Sequence, residues 1–526
     1  MFSKKYEQIF NINMPVSVQP ETIVNSFRSS ETVAPVKPPH SLREAATMTE
    51  NVIEPVVIEE KPVEKEKTEE CKSRLHLNQI IASFIATLTL LSCGLCIGWP
   101  TIFLHGKESD VPLTPDSRLL VAVAVLIGAC AGPILSGLLI DRIGRKWFLY
   151  MTTIPILAGW ILIFVAKKWL LLFMGRLVAG LSVGAIYTVV PIYTGEITEP
   201  RVRGAASGIM AVMLNLGYIF TYGVGPILGR KNLAVINLIP VIVFGLTFVW
   251  IPESPYYYLK KQKQKDAELS LTWLRGKLNN EKEIEEIKTF IKSEEECSIK
   301  KLTVPTNRKA LLILMLLFAG QQLSGLLAIE SYTRVLLPKI DFNVDIRVTL
   351  LIISSLTLVT SLVTTLVVDK IGRKVVFLIS AYGATICLLV VGVYCYLYGK
   401  VAKLNELTWV PLIVILLHSI VFSFGLGSIP AIMSSELFPM NVKSWAITFA
   451  NIFSFLLALI VAGCYEFVID AFGYYIIFWA LGILELIITI TLTVIMPETS
   501  RKSFIEIQQM LKGKSNAPSA DKTNSP

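Results

Sequence analysis

About twelve apolar runs, each of the roughly 20 residues that a helix needs to cross a lipid bilayer, lie between Ile80 and Met496. Short polar segments separate them. With 53% hydrophobic and 17% charged residues, the 526-residue chain is too apolar for an ordinary soluble protein. The alternating segments of a membrane β-barrel are absent, and otherwise only helices satisfy the backbone in lipid. The sequence therefore predicts a polytopic all-α membrane protein.

Three short signatures occur twice, in the same order. They are Asp141–Lys146 and Asp369–Lys374, Pro191–Glu196 and Pro430–Glu436, and Pro252–Pro255 and Pro497–Ser500. The second copies follow the first by 228, 240 and 245 residues, counted from Asp141 to Asp369, from Glu196 to Glu436 and from Pro252 to Pro497. Three ordered echoes at nearly constant spacing indicate one membrane bundle duplicated in tandem.

The net charge of +9 does not indicate nucleic-acid binding. The basic residues cluster at the predicted helix ends, and they are not interleaved with aromatic residues in a soluble patch. The positive-inside rule places the loops that carry them, both termini and the central loop in the cytoplasm. Lys167–Lys168 and Arg230–Lys231 are exceptions, because this topology places them outside.

No residue pattern indicates catalysis or a metal. Cys93 and Cys96 form a C-x-x-C inside an apolar run with no second pair, which is typical of small packing residues. The four histidines show no ligand spacing, and no nucleophile–base constellation occurs. We expect no catalytic residue, metal or cofactor, so an enzyme is the least favoured class.

Polar segments divide the chain into five predicted regions. These are an N-terminal cytoplasmic tail (1–78), a first six-helix bundle (79–252), a cytoplasmic linker with short helices (253–309), a second six-helix bundle (310–498) and a C-terminal cytoplasmic tail (499–526). The first tail is rich in proline, glutamate and lysine, which predicts disorder. The charge pattern of the linker predicts amphipathic helices, which we interpret as a solvated hinge between the bundles.

Three amides lie deep in apolar runs. Gln321 and Gln322 are costly there unless they line a cavity or bond to another helix. We favour the cavity and leave the second reading open. In a regular helix Tyr332 would share the face of Gln321, and Asn215 lies mid-membrane in the first bundle. A break at Gly425–Pro430 is suited to a gate.

Two intramembrane acids need an explanation. Glu330 is a hypothetical substrate or ion ligand, although a regular helix would turn it away from Gln321. For Glu485 we expect an interhelical hydrogen bond. The first apolar run contains no acidic residue, which favours facilitated diffusion over proton coupling.

The combined motifs resemble those of the sugar-porter branch of the major facilitator superfamily. They are the two Asp-x-Ile-Gly-Arg-Lys boxes, Gly175–Arg176, Glu196 with Arg203–Gly204, Pro252–Pro255, Gln321–Gly325, Glu436–Pro439 and Pro497–Thr499. Within that branch, the context of Asn215–Gly217 is most similar to the insect facilitated trehalose transporters. The resemblance covers about residues 79–508.

The resemblance implies two pseudo-symmetric six-helix halves, about twelve helices in all, that rock around a central site by alternating access. It also implies two charge clusters that hold the cytoplasmic side shut. Their members are Asp141, Arg145, Glu196 and Arg203 in the first half, and Asp369, Arg373, Glu436 and Lys443 in the second. Alternatively, these charges only set topology, but topology needs no acids. Lys443 replaces the usual arginine and gives up bidentate geometry.

Departures from the family pattern bear on the substrate. Ala211 and Leu327 stand where the family has hydrogen-bonding side chains, and Ala431 replaces a tryptophan. Thr357 and Ser454 replace two asparagines. Two lost hydrogen bonds at roughly 0.5–1.5 kcal/mol each weaken binding by about 5- to 150-fold, so a hexose is not assumed.

These observations predict a facilitative (uniport) sugar carrier, with trehalose ahead of monosaccharides. The expected substrate contacts are Gln321, Gln322, Asn215 and Tyr332. We expect a monomer in the bilayer of the cell membrane, with both termini cytoplasmic and no nucleic-acid partner. The alternatives are a carrier of another polyol or a less polar small molecule, and a non-transporting nutrient receptor.

Overall fold

The computed structural model describes residues 62–104, 111–199, 202–277, 280–293, 302–326, 329, 346–398, 400–401, 407, 409–500, 502 and 504–511. All the regular structure in these ranges is helical. The first half contains α1 (Pro62–Phe103), α2 (Pro115–Ile143), α3 (Arg145–Met151), α4 (Thr153–Val165), α5 (Trp169–Ile197), α6 (Arg203–Ile236) and α7 (Leu238–Phe248). The linker contains α8 (Pro255–Lys260), α9 (Gln264–Arg275) and α10 (Glu281–Ser293). The second half contains α11 (Pro305–Leu323), α12 (Ile346–Ile371), α13 (Arg373–Leu397), α14 (Val410–Phe424), α15 (Ile429–Glu436), α16 (Met440–Phe472) and α17 (Tyr474–Ile495), and α18 (Phe504–Leu511) follows it.

Ten helices in the described part of the chain are long and apolar enough to cross a membrane. One of them, Arg203–Phe248, has 46 residues and would measure about 70 Å if it were straight, roughly twice the hydrocarbon thickness. It breaks at Gly229, where φ is 70° and ψ is 170°, so it supplies two crossings. The predicted all-α membrane architecture is confirmed.

Each half has its own apolar core. The first is built around large buried side chains such as Trp99, Trp160 and Phe244, and the second around Phe377 and Phe478. The cores agree with a duplicated bundle, while the predicted domain boundaries stay a prediction.

Two antiparallel helix pairs join the halves, α2 with α16 and α6 with α12. Small residues allow the helices to approach closely. A Cβ added to Gly208 would overlap the Oγ1 and Cγ2 atoms of Thr365. In the other pair, the Thr448 hydroxyl donates a hydrogen bond to the carbonyl of Pro133 (3.3 Å). The halves are therefore packed against each other along these two seams.

The described part of the linker is docked on the first half, while its predicted role as a hinge stays a prediction. Helices α8–α10 share a small apolar core. Arg275 is buried, and it donates to the carbonyl of Ile197 (2.9 Å) and pairs with Glu283 (2.7 Å) and Glu199 (3.3 Å). The Ile197 carbonyl ends α5 and has no partner inside the helix, so this arginine both caps α5 and fixes α9 to it.

Candidate functional site

A cavity of about 180 Å³ lies between the two halves. The first half lines it with Ile97, Leu126, Tyr187, Ala211, Leu214, Asn215, Tyr218 and Tyr222, and the second with Gln321, Gln322, Leu326, Ile353, Ser354, Thr357, Ser361, Phe422, Ser423, Gly427, Phe455 and Ala458. None of these described lining residues is acidic or basic. Hydroxyls, amides and aromatic rings are therefore what this cavity offers a ligand.

The glutamine pair lies on the last turn of α11. The helix ends at Leu323, and Gly325 follows with a φ of 79°. Gln321 donates from Nε2 to the carbonyl of Gly427 (3.2 Å), and Gln322 donates from Nε2 to the hydroxyl of Ser454 (3.0 Å). Because an amide carries two donor hydrogens and one acceptor oxygen, each glutamine keeps capacity for a ligand.

Asn215 reaches the cavity from α6 and also bridges the halves. Its Nδ2 donates to the hydroxyl of Ser361 on α12 (2.7 Å). The Ser361 hydroxyl lies 2.6 Å from the carbonyl of Thr357 and 3.0 Å from the hydroxyl of Ser423. A chain of hydroxyl groups thus connects the first half to α14 along the cavity wall.

The remaining predicted positions are only partly at the cavity. Tyr332, Glu330 and Leu327 lie outside the described residues. Ala211 and Thr357 line the cavity. Ser454 accepts the bond from Gln322, whereas Ala431 is not among the lining residues.

Aromatic side chains are the lining residues that sequence reasoning missed. The rings of Tyr218 and Tyr222 stack with centroids 6.0 Å apart, and Tyr187 meets Phe455 of the other half edge to face at 5.7 Å. The spacing of Tyr218 and Tyr222, one helical turn apart beyond Asn215, was the available signal. Aromatic faces of this kind pack well against apolar C–H surfaces.

Two ion clusters lie at one end of the bundle, which we call the box end because it carries residues 141–146 and 369–374. In the first cluster, Arg145 pairs with Asp141 (3.0 Å) and Glu196 (3.1 Å). In the second, Arg373 pairs with Asp369 (2.7 Å) and Glu436 (3.3 Å). Each cluster is completed inside one half of the protein.

Glu253 caps the helix that starts at the first box. Its carboxylate accepts the backbone N–H groups of Arg145 and Lys146 at 3.0 Å, which have no partner inside α3. Burial raises the pKa of Glu253, while the N–H groups of Ser254 and Lys146 and the charge of Arg145 act in the opposite direction. A Cβ on Gly144, where φ is 103°, would overlap this carboxylate.

The second box repeats this arrangement. Glu498 accepts the backbone N–H groups of Arg373 (2.9 Å) and Lys374 (3.0 Å). Gly372 has a φ of 106°, and a Cβ there would lie 2.6 Å from the Glu498 Oε2 atom. The box and the Pro-Glu-Ser/Thr signature therefore form one structural unit. The glutamate of the signature caps the helix that begins at the box, which explains why the two recur together.

Arg203 and Lys443 make no ion pair among the described residues, so their predicted pairing is not found there. Arg145 and Arg373 make the short ion pairs with the acids. At longer range Arg203 attracts Glu436, and Lys443 attracts Glu196, in each case across the two halves. The Nε atom of Arg203 is buried without a hydrogen-bond partner among the described residues. Both residues instead mark contacts between halves. Asp369 lies against Gly204, next to Arg203, and the Nζ atom of Lys443 lies 3.3 Å from where a Cβ of Gly195 would stand.

The model of the Sugar (and other) transporter family matches residues 66–511 of this chain. The chain belongs to this family. The protein is therefore a sugar-transporter family member and not an enzyme, as predicted.

Named relatives of this transporter include two insect proteins. The "Facilitated trehalose transporter Tret1" of Apis mellifera ligustica is 29% identical over 444 residues, which cover 83% of this chain and 88% of the relative. The Bombyx mori protein of the same name is 28% identical over 438 residues, covering 82% and 86%.

Solved structures show the same fold. The major facilitator superfamily proton:xylose symporter XylE bound to 6-bromo-6-deoxy-D-glucose superposes with a TM-score of 0.69 at 19% identity, covering 83% of this transporter and 100% of XylE. The inward-open conformation of XylE from E. coli gives 0.60 at 19% identity, covering 84% and 99%. The predicted major facilitator superfamily fold is confirmed.

Proposed function

We propose that this transporter is a facilitative (uniport) sugar carrier, with trehalose as the first candidate substrate. The observation that carries the proposal is an uncharged, hydrogen-bonding and aromatic cavity that both halves enclose. The names of the Apis mellifera ligustica and Bombyx mori relatives support trehalose.

The composition of the cavity wall supports uniport. Coupling to protons requires a titratable group in the substrate path, and no described residue of the wall has a charged side chain. A neutral sugar would then move down its own gradient, bound by Gln321, Gln322, Asn215 and Tyr332.

The size of the cavity indicates how the substrate enters. At about 180 Å³ it is smaller than the roughly 300–1,000 Å³ of typical ligand pockets. Trehalose has about twice the atoms of a hexose, so the halves must separate to admit it. The bond between Asn215 and Ser361 crosses the seam that would open.

The box end would act as the cytoplasmic gate. Its proposed members are Asp141, Arg145, Glu196, Arg203, Asp369, Arg373, Glu436 and Lys443. The ion pairs make each half rigid at this end, while Asp369 against Gly204 and Lys443 against Gly195 supply contacts between halves. With the gate on the cytoplasmic side, both termini would be cytoplasmic, and we propose that the protein acts as a monomer in the cell membrane.

Uptake by the purified protein in liposomes tests the proposal. Radiolabelled trehalose and glucose are offered with and without a pH gradient. We expect saturable trehalose uptake that the gradient does not drive beyond equilibrium. Gln322→Ala should raise KM by about 2- to 13-fold per lost hydrogen bond, since each is worth roughly 0.5–1.5 kcal/mol. Gln264→Ala removes the same amide from the exposed linker and should change nothing.

The outcome also separates the alternatives. The apolar and aromatic part of the wall favours one of them, a carrier of another polyol or of a less polar small molecule. Such a compound would compete with trehalose and replace it as the better substrate. Saturable sugar binding without any flux through folded protein would contradict a carrier and indicate a nutrient receptor.

A further inference from the structure

The carboxyl group of Glu485 is the most isolated acid in the described structure. It lies near the middle of α17 and is fully buried. Neither of its oxygens has a hydrogen-bond partner among the described residues, so the expected interhelical bond is not found there. The rest of the proposed mechanism makes no use of this group.

The carboxyl packs against the helix that carries the glutamine pair. A Cβ on Gly320 of α11 would lie 3.3 Å from the Oε1 and 3.4 Å from the Oε2 atom of Glu485. The acid therefore fills the space that a side chain at position 320 would take. Gln321 and Gln322 follow directly, so the position of Glu485 fixes the turn that presents both amides to the cavity.

No charged group faces this carboxyl from α11 or α16. On α11, Arg308 and Lys309 belong to the first turn, and Lys309 lies about 16 Å along the helix from Gly320. Helix α16 runs back from the turn at Gly473, which places the apolar Val461 at the level of Glu485. Its charged residues are Lys443 near its start and Glu466 and Asp470 near its end, so the helix places no cation at that level.

Helix α13 supplies no cation either. Its titratable groups along α17 are the thiol of Cys387 and the phenols of Tyr382, Tyr394 and Tyr396. The Tyr382 hydroxyl is engaged with Thr493 (3.0 Å), and the Tyr396 ring packs on Tyr475 and Trp479 near the start of α17. No group of acidic, histidine or cysteine side chains that could hold a metal occurs in the described part of the chain. A carboxylate at Glu485 would thus have neither a counter-ion nor a hydrogen bond, a state that the membrane interior strongly disfavours.

We propose that Glu485 is a proton-binding site, kept as the neutral carboxylic acid, and that this proton positions the glutamine-bearing turn of α11 against α17. Loss of the proton would create an unpaired charge between the helices. The charge would pull the carboxyl toward water, separate α11 from α17 and misplace Gln321 and Gln322. Because Glu485 faces α11 and does not line the cavity, pH would change sugar affinity without driving accumulation. The predicted effect of pH on sugar uptake rests on the proposed function.

Carbodiimide labelling tests the protonation state without any sugar. Dicyclohexylcarbodiimide adds the O–H of a protonated carboxyl in apolar surroundings across one C=N bond, and the adduct rearranges to a stable N-acylurea. The full-length protein in liposomes is labelled, digested and analysed by mass spectrometry. We expect an adduct at Glu485 that is lost in Glu485→Gln, while Glu285→Gln in the exposed linker leaves it unchanged. No adduct at Glu485 at any pH would overturn the proposal.

Uptake at equal pH on both sides tests the positioning role. We expect the wild-type KM to rise by a factor on the order of ten as the pH becomes alkaline, the effect of an unpaired charge forming in the membrane. Glu485→Gln stays neutral at every pH and should show a flat profile. A flat wild-type profile, or sugar accumulation driven by an imposed pH gradient, would overturn the positioning role. If no variant transports sugar, the proposed function fails, and the labelling result still decides the protonation state.

Discussion

Gly208→Ala should shift the transporter away from the conformation in which the box end is closed. The added Cβ would overlap the Oγ1 and Cγ2 atoms of Thr365, at the seam between α6 and α12. Overpacking of this kind costs about 1–3 kcal/mol, which corresponds to roughly a 5- to 150-fold change in the ratio of closed to open molecules. The cost falls only on the conformation that brings the two helices together.

Electron–electron distance measurements across the box end would detect the shift. Spin labels at Arg142 and Ile371, which are exposed and lie on opposite halves, report the separation in nanodiscs, and protein without the introduced cysteines gives the background. We expect a longer-distance population in Gly208→Ala and a lower uptake rate. Gly245→Ala is the matched control, because a Cβ there meets nothing.

A second substitution checks that the cause is this overlap. Thr365→Ala removes the two nearest atoms and leaves the Cβ atom of Thr365 2.6 Å from the new Cβ. The double variant should therefore return part of the way to the wild-type distances, and the difference gives the coupling energy of the pair. Gly208→Ala with wild-type distances and uptake would refute the reasoning. A double variant no closer to wild type than the single one would also refute it.

Two further predictions concern the box end and the linker. Gly144→Ala should lower the free energy of unfolding by about 1–3 kcal/mol, because it adds an overlap with Glu253 to the strain of a positive φ. Gly276→Ala is the control, because it adds the strain of a positive φ without any overlap. Equal losses of unfolding free energy in the two variants, measured by thermal unfolding, would contradict the prediction. Arg275→Ala should release α9 and α10 from the first half and speed limited proteolysis of the linker, whereas the exposed neighbour in Lys277→Ala should not. Equal cleavage rates would argue against the docking.

The sequence was sufficient for the membrane class, the duplication and the position of the glutamine pair. The length of an apolar run and the spacing between repeats can be read from the sequence without knowledge of the fold. A pair as costly in lipid as Gln321 and Gln322 requires a polar environment, and the cavity provides it. The break predicted at Gly425–Pro430 is also present, since α14 ends at Phe424 and α15 begins at Ile429.

Contacts between distant segments were not readable in the same way. The sequence shows that the signature at Glu253 is repeated. It does not show that Glu253 caps α3, because that contact depends on the fold. Arg230 was an exception to the positive-inside rule, because the predicted topology places this basic residue in an outer loop. In the structure it is buried and donates to the carbonyls of Ile163 and Ala166, so it caps α4. Counting charges cannot distinguish such a capping arginine from one that sets orientation.

The completeness of each ion cluster within one half has a consequence for the rate of turnover. Removing one partner from a buried ion pair costs about 3–5 kcal/mol, a penalty that a moving gate would meet in every cycle if its pairs crossed between halves. Arg145 and Arg373 keep their acids when the halves separate, because each pair travels as one body. What separates at the seams is hydroxyl, amide and small-residue contact, together with the attraction of Lys443 for Glu196 and of Arg203 for Glu436 across the halves. The gate proposed at the box end would therefore keep its short ion pairs as it opens and would break only the longer-range attractions between the halves.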